Sequence, residues 1–306
     1  MAPGVDIYTT RSLCNDLSAW PHPKEPESPR DFDYYGNSAR DKRCIFTNGT
    51  SIAAPLVAGC CAVIRQCLLG SKILSEDDQQ NFLVTSALIK AILINGAEDM
   101  QDGLHRRGPA VPAAPNSVQG FGRVNQAASL RIITDGQNGG ILQSPQRMTQ
   151  DAPHNIFQKP VTIRRVIDPT AELKIPAILR SATLKATLVY TDPPGPDLVN
   201  QLCLKVVAAD RSYVYANTGT TTPDKMNNVQ KVVWKNLPPQ NLTLEVEAKR
   251  ISPVANNELG VQDFSLAWYV EYSEPSNPKY QKAFRVLKDY TSSTEAARLA
   301  MAYGRK

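Results

Sequence analysis

The chain has 306 residues, of which 42% are hydrophobic and 21% are charged, and its net charge at pH 7 is +5. This composition is typical of a soluble globular protein with room for two domains of ordinary size. The basic residues are scattered and are not interleaved with aromatic ones, which argues against a nucleic-acid partner. Because Arg65 and Gln66 interrupt the longest apolar stretch, we expect no membrane span.

Six cysteines occur, at positions 14, 44, 60, 61, 67 and 203, and their spacing fits neither a zinc site nor a dense disulfide framework. Cys60, Cys61 and Cys67 belong to an apolar stretch, so we expect buried thiols. Cys14 and Cys44 flank an irregular segment and could pair in an oxidising compartment or stay reduced. The first residues show no charged region followed by an apolar one, so no secretion signal is visible and the localisation stays open.

The chain begins with Ala2-Pro3-Gly4, and an alternating segment around Ile7 follows it. This pattern predicts the end of one strand turning into another. Residues 11–46 hold several prolines among charges and are longer than an ordinary connection. They are either a functional loop or a solvated surface insertion.

A helix is predicted over residues 52–69, where Arg65 and Gln66 are the strongly polar residues. A helix that is apolar on every side belongs in the middle of a domain. Pro55 falls near the first turn, where its missing N–H disturbs few hydrogen bonds, and Gly70 provides the stop.

Two interpretations apply to Ser51, which follows two small residues at the start of this helix. In the first, Ser51 is a nucleophile, and the free N–H groups and dipole of the helix N-terminus favour negative charge that develops beside it. In the second, Thr50 or Ser51 is an ordinary N-cap of a core helix. Local sequence leaves both open.

Two shorter helices are predicted next, over 85–94 and 126–130. The first ends at Asn95-Gly96, and the second follows the glycine-containing segment 120–125. We therefore expect a first domain over 1–135, which includes the irregular insertion 11–46, and a linker over 136–154.

Beyond residue 155 the apolar residues recur with a period of two, which predicts strands. Turn residues such as Pro193-Pro194-Gly195 separate the apolar runs. An antiparallel sandwich or jelly roll over 155–272 is expected, followed by a helical tail over 273–306. The predicted strands are seven: 161–167, 184–190, 202–208, 212–216, 229–235, 242–248 and 264–270.

Around Ser51 the sequence resembles the nucleophile motif of the subtilisin-like serine proteases. Ala2-Pro3-Gly4 and the Gly-x-Gly-x-Val run at 120–124 resemble two further segments of that family. The family usually has His at the position of Leu56, and that His is not the catalytic one. The motif residues are Asn48, Gly49, Thr50, Ser51, Ala53, Pro55, Val57, Ala58 and Gly59.

Residues 188–195 and three later runs resemble the β-barrel domain that follows the catalytic domain in one branch of this family. The later runs are 198–200, 227–229 and 262–266. The expected fold class is therefore α/β, an incomplete subtilisin-like three-layer domain, followed by an all-β jelly-roll or sandwich domain.

The resemblance implies a serine endopeptidase that acts on polypeptides by acyl transfer to Ser51, with the Ser51 backbone N–H as one oxyanion donor and no cofactor. The family's Asp, His and oxyanion Asn precede the Ala-Pro-Gly segment. The resemblance therefore implies that this chain is the C-terminal part of such an enzyme and is inactive alone. Relatives in the family are commonly secreted.

None of His22, His105 and His154 stands in a sequence setting suited to activating Ser51. An alternative is thus a decayed, non-catalytic protease whose β domain binds a partner. In either case we expect the first domain to fold poorly alone and the β domain to fold independently.

Calcium binding is the remaining question about the β domain. Asp192, Asp224, Asn227 and Asn228 carry oxygen ligands of the type that calcium prefers. Where the family usually has Asp-Leu-Asp-Leu after Leu-Val-Asn, residues 201–204 read Gln-Leu-Cys-Leu. Two carboxylates are missing, and a thiol is a poor ligand for a hard cation, so calcium is disfavoured at this position and the metal assignment stays open. Asp and Asn in such turns are often simple turn formers.

Overall fold

The computed structural model describes residues 1–4, 7–10, 44–71, 73–74, 84–100, 112–143, 148–151, 155–163, 182–253 and 260–272. Its helices are α1 (Thr50–Gly70), α2 (Ser86–Gly96) and α3 (Gln126–Thr134). Its strands are β1 (Ile7–Thr10), β2 (Cys44–Thr47), β3 (Gly139–Gln143), β4 (Met148–Thr149), β5 (Ile156–Ile163), β6 (Ala182–Val189), β7 (Gln201–Ala208), β8 (Tyr213–Tyr215), β9 (Val229–Leu237), β10 (Gln240–Arg250), β11 (Val261–Gln262) and β12 (Ser265–Tyr272).

Each of the seven strands predicted from the period-two pattern is present, as β5 to β10 and β12. They form most of two four-stranded antiparallel sheets, ordered β5-β10-β7-β8 and β3-β12-β6-β9. The described chain is thus mixed α/β in its first part and β-rich in its second. The three-layer α/β arrangement and the jelly-roll strand order remain predictions.

The two sheets share one apolar core. Alternate residues of β10 and β7, such as Leu244 and Leu204, are fully buried and belong to the same cluster as Leu184 and Leu266 of the other sheet. Because a strand directs successive side chains to opposite faces, the period-two pattern supplies one apolar face to each sheet. Burial of each such leucine contributes about 1.5–3 kcal/mol.

Helices α2 and α3 pack on the outer face of the β3-β12-β6-β9 sheet. Leu88 and Ile92 of α2 are fully buried in a second cluster that includes Val229 of β9 and Ala267 of β12. At the end of α2 the Asn95 amide donates hydrogen bonds to Thr187 Oγ1 (3.2 Å) and to the Ala267 carbonyl (2.9 Å). Helices expected in the first domain therefore contact the sheet expected in the second.

Strands β3 and β4 lie within residues 136–154, where we expected a linker. Gly139–Gln143 pairs with β12 over five residues, from Tyr269 to Ser265. The sequence of β3 is too short and too rich in glycine to show a strand period. The domain boundaries at 135 and 155 remain predictions, but this segment is an integral part of a sheet.

Helix α1 is more exposed than a helix in the middle of a domain. Ile64 and Leu68 are its fully buried side chains, whereas Leu56 and Val63 are 41% and 44% exposed. Of the described elements, α2 and α3 pack along it. The expected all-round burial is not found in the described structure, since only one stripe of α1 has a partner.

Three cysteines of α1 differ from the expectation of buried thiols. Cys60, Cys61 and Cys67 are half-buried free thiols. Burial raises the pKa of Cys61, with a contribution from Cys60, and burial also raises the pKa of Cys67. Cys61 and Cys67 are therefore poor nucleophiles. Cys14 lies outside the described residues, so the Cys14–Cys44 pairing remains a prediction.

By length and composition α1 could cross a membrane, with 21 residues and a mean hydropathy of 1.9 in its most apolar window. A single helix of this kind is weak evidence, since core helices of soluble proteins meet the same criterion. The expected absence of a membrane span therefore remains a prediction.

Candidate active site around Ser51

Ser51 is the second residue of α1, and its side chain is exposed. The N-cap of the helix is Gly49, and no side chain makes a capping hydrogen bond there. The Gly49 carbonyl instead accepts the first helical bonds, from the N–H groups of Ile52 (3.1 Å) and Ala53 (3.3 Å). The structure therefore does not support the interpretation of Thr50 or Ser51 as the N-cap.

The turn before Ser51 requires glycine at position 49. Gly49 has φ +151°, a region that residues with a Cβ rarely adopt, and a Cβ there would lie 3.3 Å from Ser51 Oγ. A residue other than glycine would strain the backbone and crowd the hydroxyl. The sharp turn thus presents the Ser51 hydroxyl at the start of the helix.

Three segments singled out in the sequence are joined through residues 1–4, one end of which contacts the turn before Ser51. The Gly49 N–H donates to the Gly4 carbonyl at 2.7 Å, which places Ala2-Pro3-Gly4 against the turn. At the other end of this short segment, the Met1 ammonium donates to the Gly122 carbonyl (2.6 Å), and the Val124 N–H donates to the Met1 carbonyl (2.9 Å). Residues more than a hundred positions apart in the chain are thereby held together.

Gly122 makes this junction possible. It has φ +108°, and a Cβ at this position would lie 2.0 Å from the Glu98 carbonyl oxygen. Glu98 and Arg123 exchange backbone hydrogen bonds of 2.9 and 2.7 Å, and their side chains form an ion pair of 2.7 Å. The hydrogen bond from Arg123, with a second from Asn125, lowers the pKa of Glu98.

The remaining motif residues surround the turn. Ala53 is half-buried, whereas Asn48, Thr50 and Pro55 are exposed. The described part of the chain contains no histidine, because His22, His105 and His154 lie outside it. Within the described residues, therefore, no imidazole faces the Ser51 hydroxyl.

The carboxylates considered for calcium hold turns together. The two oxygens of Asp192 accept hydrogen bonds from the N–H groups of Val199 (2.7 Å) and Asn200 (2.8 Å). Asp224 accepts from the Met226 N–H (2.8 Å) and from the Asn227 side-chain amide (2.7 Å). Among the described residues, no group of three or more His, Cys, Asp or Glu side chains is arranged to hold a metal.

Sequence reasoning missed a charged cluster on the β5-β10-β7-β8 sheet. Lys205 Nζ lies 2.5 Å from a Glu245 oxygen and 2.8 Å from a Glu247 oxygen, and Glu247 also accepts a hydrogen bond from Tyr215 (2.8 Å). Burial alone would raise the pKa of Glu247, but hydrogen bonds from Lys205, Lys249 and Tyr215 lower it to about 2. The alternating acidic residues of β10 were the available signal, although they do not reveal the partners on β7 and β8.

Sequence reasoning also missed Lys231, a buried lysine of β9. This side chain is 8% exposed, and its ammonium donates to the Ile94 carbonyl (2.8 Å) and the Ala97 carbonyl (3.0 Å) at the end of α2. It lies in the wall of a cavity of about 830 Å³ between that helix end and the sheet. A single lysine in a strand pattern gives no sequence signal of such burial.

Comparison with known proteins agrees with the Ser51 motif. Residues 27–122 match the model of the subtilase family, Peptidase_S8. The match includes the turn, α1 and the glycine-containing segment, and it supports a relationship to that protease family. It does not extend to the strands after residue 122, so the resemblance of the β domain remains a prediction.

No curated protein matches the chain. Among solved structures, the Yersinia pseudotuberculosis-derived mitogen (YPM) has 11% sequence identity and a TM-score of 0.19. That likeness covers 40% of this chain and 92% of the mitogen. A TM-score this low carries no argument about fold or function.

Proposed function

We propose that this chain carries the nucleophile segment of a subtilisin-like serine endopeptidase, with Ser51 as the residue that is acylated by a polypeptide substrate. The observation that carries the proposal is the junction at Gly49, where the Gly4 carbonyl accepts the Gly49 N–H at 2.7 Å. It joins two of the three segments that resemble the family. The family match over residues 27–122 gives further support.

The proposed chemistry begins with attack of Ser51 Oγ on the scissile carbonyl. The bond between Oγ and the carbonyl carbon forms, the oxygen takes up negative charge, and the Ser51 proton passes to a base. Backbone N–H groups at the start of α1, including that of Ser51, stabilise the oxyanion. When the intermediate collapses, the C–N bond breaks and the base gives its proton to the leaving amine; water, deprotonated by the same base, then hydrolyses the acyl-enzyme and Ser51 regains its proton. This scheme needs no cofactor, and we propose none.

A base is the missing element of this scheme. The serine hydroxyl is a weak nucleophile until a base accepts its proton and a carboxylate orients that base. In subtilisin itself, removal of the serine or the histidine costs about a millionfold in kcat. None of His22, His105 and His154 stands in a sequence setting suited to activating Ser51, so we propose that the 306-residue chain alone has essentially no peptidase turnover.

An active-site fluorophosphonate tests this proposal directly. The chain should show no covalent labelling at Ser51 under conditions in which subtilisin is labelled completely, and Ser51→Ala should give the same blank result. Clear labelling that Ser51→Ala abolishes would contradict the proposed inactivity. Tandem mass spectrometry would establish whether any adduct lies on Ser51.

The second candidate is a non-catalytic protein that descends from such a protease and binds a partner through its β domain. The exposed Ser51 hydroxyl without an imidazole among the described residues favours it. Sequencing the transcript upstream of Met1 separates the two. In-frame Asp-Ser/Thr-Gly and His-Gly-Thr segments would favour the enzyme, and their absence would favour the binding protein.

A further inference from the structure

A cavity of about 830 Å³ lies where α2 ends on the β3-β12-β6-β9 sheet, and Glu98 and Phe121 in its wall adjoin Gly122, which contacts Met1. Its floor is the outer face of the β3-β12-β6-β9 sheet where α2 ends and no longer covers it. One wall is formed by residues 97–99 and 113–115 with Phe121, and another by the turn 214–219. Val233 of β9 reaches the floor and is 45% exposed. The site thus has the size and partly apolar lining of a small-ligand pocket.

Lys231 supplies a buried positive charge in the wall of this cavity. It is 8% exposed, and two of its three N–H donors are accounted for by the carbonyls of Ile94 and Ala97. Its backbone is held in place by Asn217, which exchanges two 2.9 Å hydrogen bonds with the Lys231 N–H and carbonyl. The ammonium is therefore preorganised at the cavity edge.

Lys235 lies exposed at the cavity edge, and the other charged side chains around the cavity have partners within the protein. Lys185 pairs with Glu271 at 3.0 Å, and Glu98 pairs with Arg123 at 2.7 Å. Asp99 accepts hydrogen bonds from the Ala114 N–H (3.0 Å) and the Gln119 side chain (2.9 Å). Among the described residues, no carboxylate forms an ion pair with Lys231.

The burial of Lys231 has an electrostatic cost. Desolvation, with a contribution from Lys185, lowers the pKa of Lys231 to about 7, and Asp99 opposes the shift. Buried charges in proteins are normally paired, since an unpaired ammonium loses its hydration without compensation. An anion in the cavity would provide the missing partner.

We propose that this cavity binds a ligand with a single carboxylate and an apolar body, and that the carboxylate pairs with Lys231. The acidic side chains of Glu98, Asp99 and Glu271 in the wall disfavour a dianion such as a phosphate monoester. Trp234 and Phe121, which also line the cavity, suit an apolar or aromatic body. The site does not involve Ser51, so it stands apart from the proposed proteolysis.

Calorimetric titration of the full chain at pH 6.5 tests the proposal. The probes are 4-phenylbutyrate with its amide, and the tripeptide acetyl-Ala-Ala-Phe with a free or amidated C-terminus. We expect each acid to bind at least tenfold more tightly than its amide. Tenfold tighter binding of the peptide acid than of phenylbutyrate would identify a peptide C-terminus as the ligand class, and the reverse would identify a small organic acid.

Variants of Lys231 test whether the carboxylate of the ligand pairs with this side chain. Lys231→Gln keeps a donor for the helix carbonyls but removes the charge, and it should weaken acid binding at least tenfold without changing amide binding. Lys90→Gln, which removes an exposed lysine of α2 that does not line the cavity, should change affinity less than threefold. If Lys231→Gln does not fold, Lys231→Arg provides the second variant and should retain acid binding within about tenfold.

Equal binding of acids and amides, or no binding of either acid at millimolar concentration, would overturn the proposal.

Proton uptake gives a readout that a purely structural lysine would not show. At pH 8 Lys231 is largely neutral, and the bound carboxylate would raise its pKa, so each binding event should take up a proton. Affinity should accordingly fall as the pH rises above 7. Titrations in buffers of different ionisation enthalpy measure the uptake. The same uptake in Lys231→Gln would assign the proton to Glu98, Asp99, Glu271 or Lys185 and would contradict the proposed pairing.

Discussion

Helix α1 is richer in apolar residues than strand β10, yet it is far less buried. Leu242, Leu244 and Val246 of β10 are at most 1% exposed between two sheets. In α1, by contrast, Leu56 and Val63 are more than 40% exposed, and one narrow stripe at Ile64 and Leu68 has a partner. Apolar residues become core only where another element offers a complementary face, so composition alone does not tell how much a segment contributes to stability.

Limited proteolysis should reveal the largest difference between the two regions. The sequence predicts a resistant piece over about 155–272. Since β3 pairs with β12 and α2 packs on the same sheet, we now expect the resistant piece to begin upstream of Ser86 and to include Tyr272. Mass spectrometry of the digest locates its ends. A resistant piece starting near 155 would show that the helices are not part of the same folding unit.

Leucine truncation should quantify the same contrast. Leu244→Ala should lower the free energy of unfolding by about 3–4 kcal/mol, because it opens a cavity in a fully packed core. Leu56→Ala, the matched change on α1, should cost less than about 0.5 kcal/mol, because the side chain is 41% exposed. Urea unfolding measures both. Comparable losses in the two variants would contradict the exposure of α1.

Acid unfolding should depend on Glu247. Its pKa is depressed in the folded state, so its contribution to stability is present above about pH 4.5 and is lost as the pH falls toward about 2. The gap between these values corresponds to a contribution on the order of 3 kcal/mol. In Glu247→Gln, the free energy of unfolding should vary less over this pH range.

The control for this change is Glu271→Gln, which removes a more exposed carboxylate paired with Lys185 at 3.0 Å. Surface pairs of this kind contribute little, so its pH profile should match that of the parent protein. If Glu247→Gln and the parent lost stability in parallel between pH 4.5 and 2, the charged cluster would not be the cause.

A smaller effect is expected at the contact between helix and sheet. Asn95→Ala removes hydrogen bonds to Thr187 and to the Ala267 carbonyl, and should cost about 1–2 kcal/mol. Lys90→Ala, at an exposed position of α2, should be within about 0.5 kcal/mol of the parent. Urea unfolding of the two variants again provides the measurement. No loss in Asn95→Ala would indicate that α2 does not dock on the sheet in solution.

Local sequence patterns predicted most helices and strands, because the formation of these elements depends on residues that are close together in the chain. The period of two in the second half led to all seven predicted strands, and helix α2 follows Thr85, whose side chain accepts the Leu88 N–H at 3.2 Å. Strand β3 escaped prediction because Gly139-Gly140 carry no side-chain pattern, and its pairing partner β12 lies more than a hundred residues away.

For the candidate site, too, local sequence predicted one part of the arrangement and contacts between distant segments decided the other. Glycine, serine and small residues at fixed intervals predicted a turn into a helix, and the resemblance to the subtilisin-like motif identified Ser51 as the candidate nucleophile. The hydrogen bonds that link Gly49 to Gly4 and Met1 to Gly122 join distant segments, and no local pattern encodes them. Lys231 and Glu247 were missed for the same reason, because their partners come from other elements.

The sequence by itself determined the element types, the turn at Gly49 and the position of the candidate nucleophile, because backbone preferences and side-chain periodicity act over a few residues. Only the tertiary structure decided which apolar faces are covered, which charges are buried and which distant segments meet beside Ser51. Those outcomes follow from packing and hydrogen bonding between elements far apart in the chain, and an apolar face becomes core only where another element lies against it.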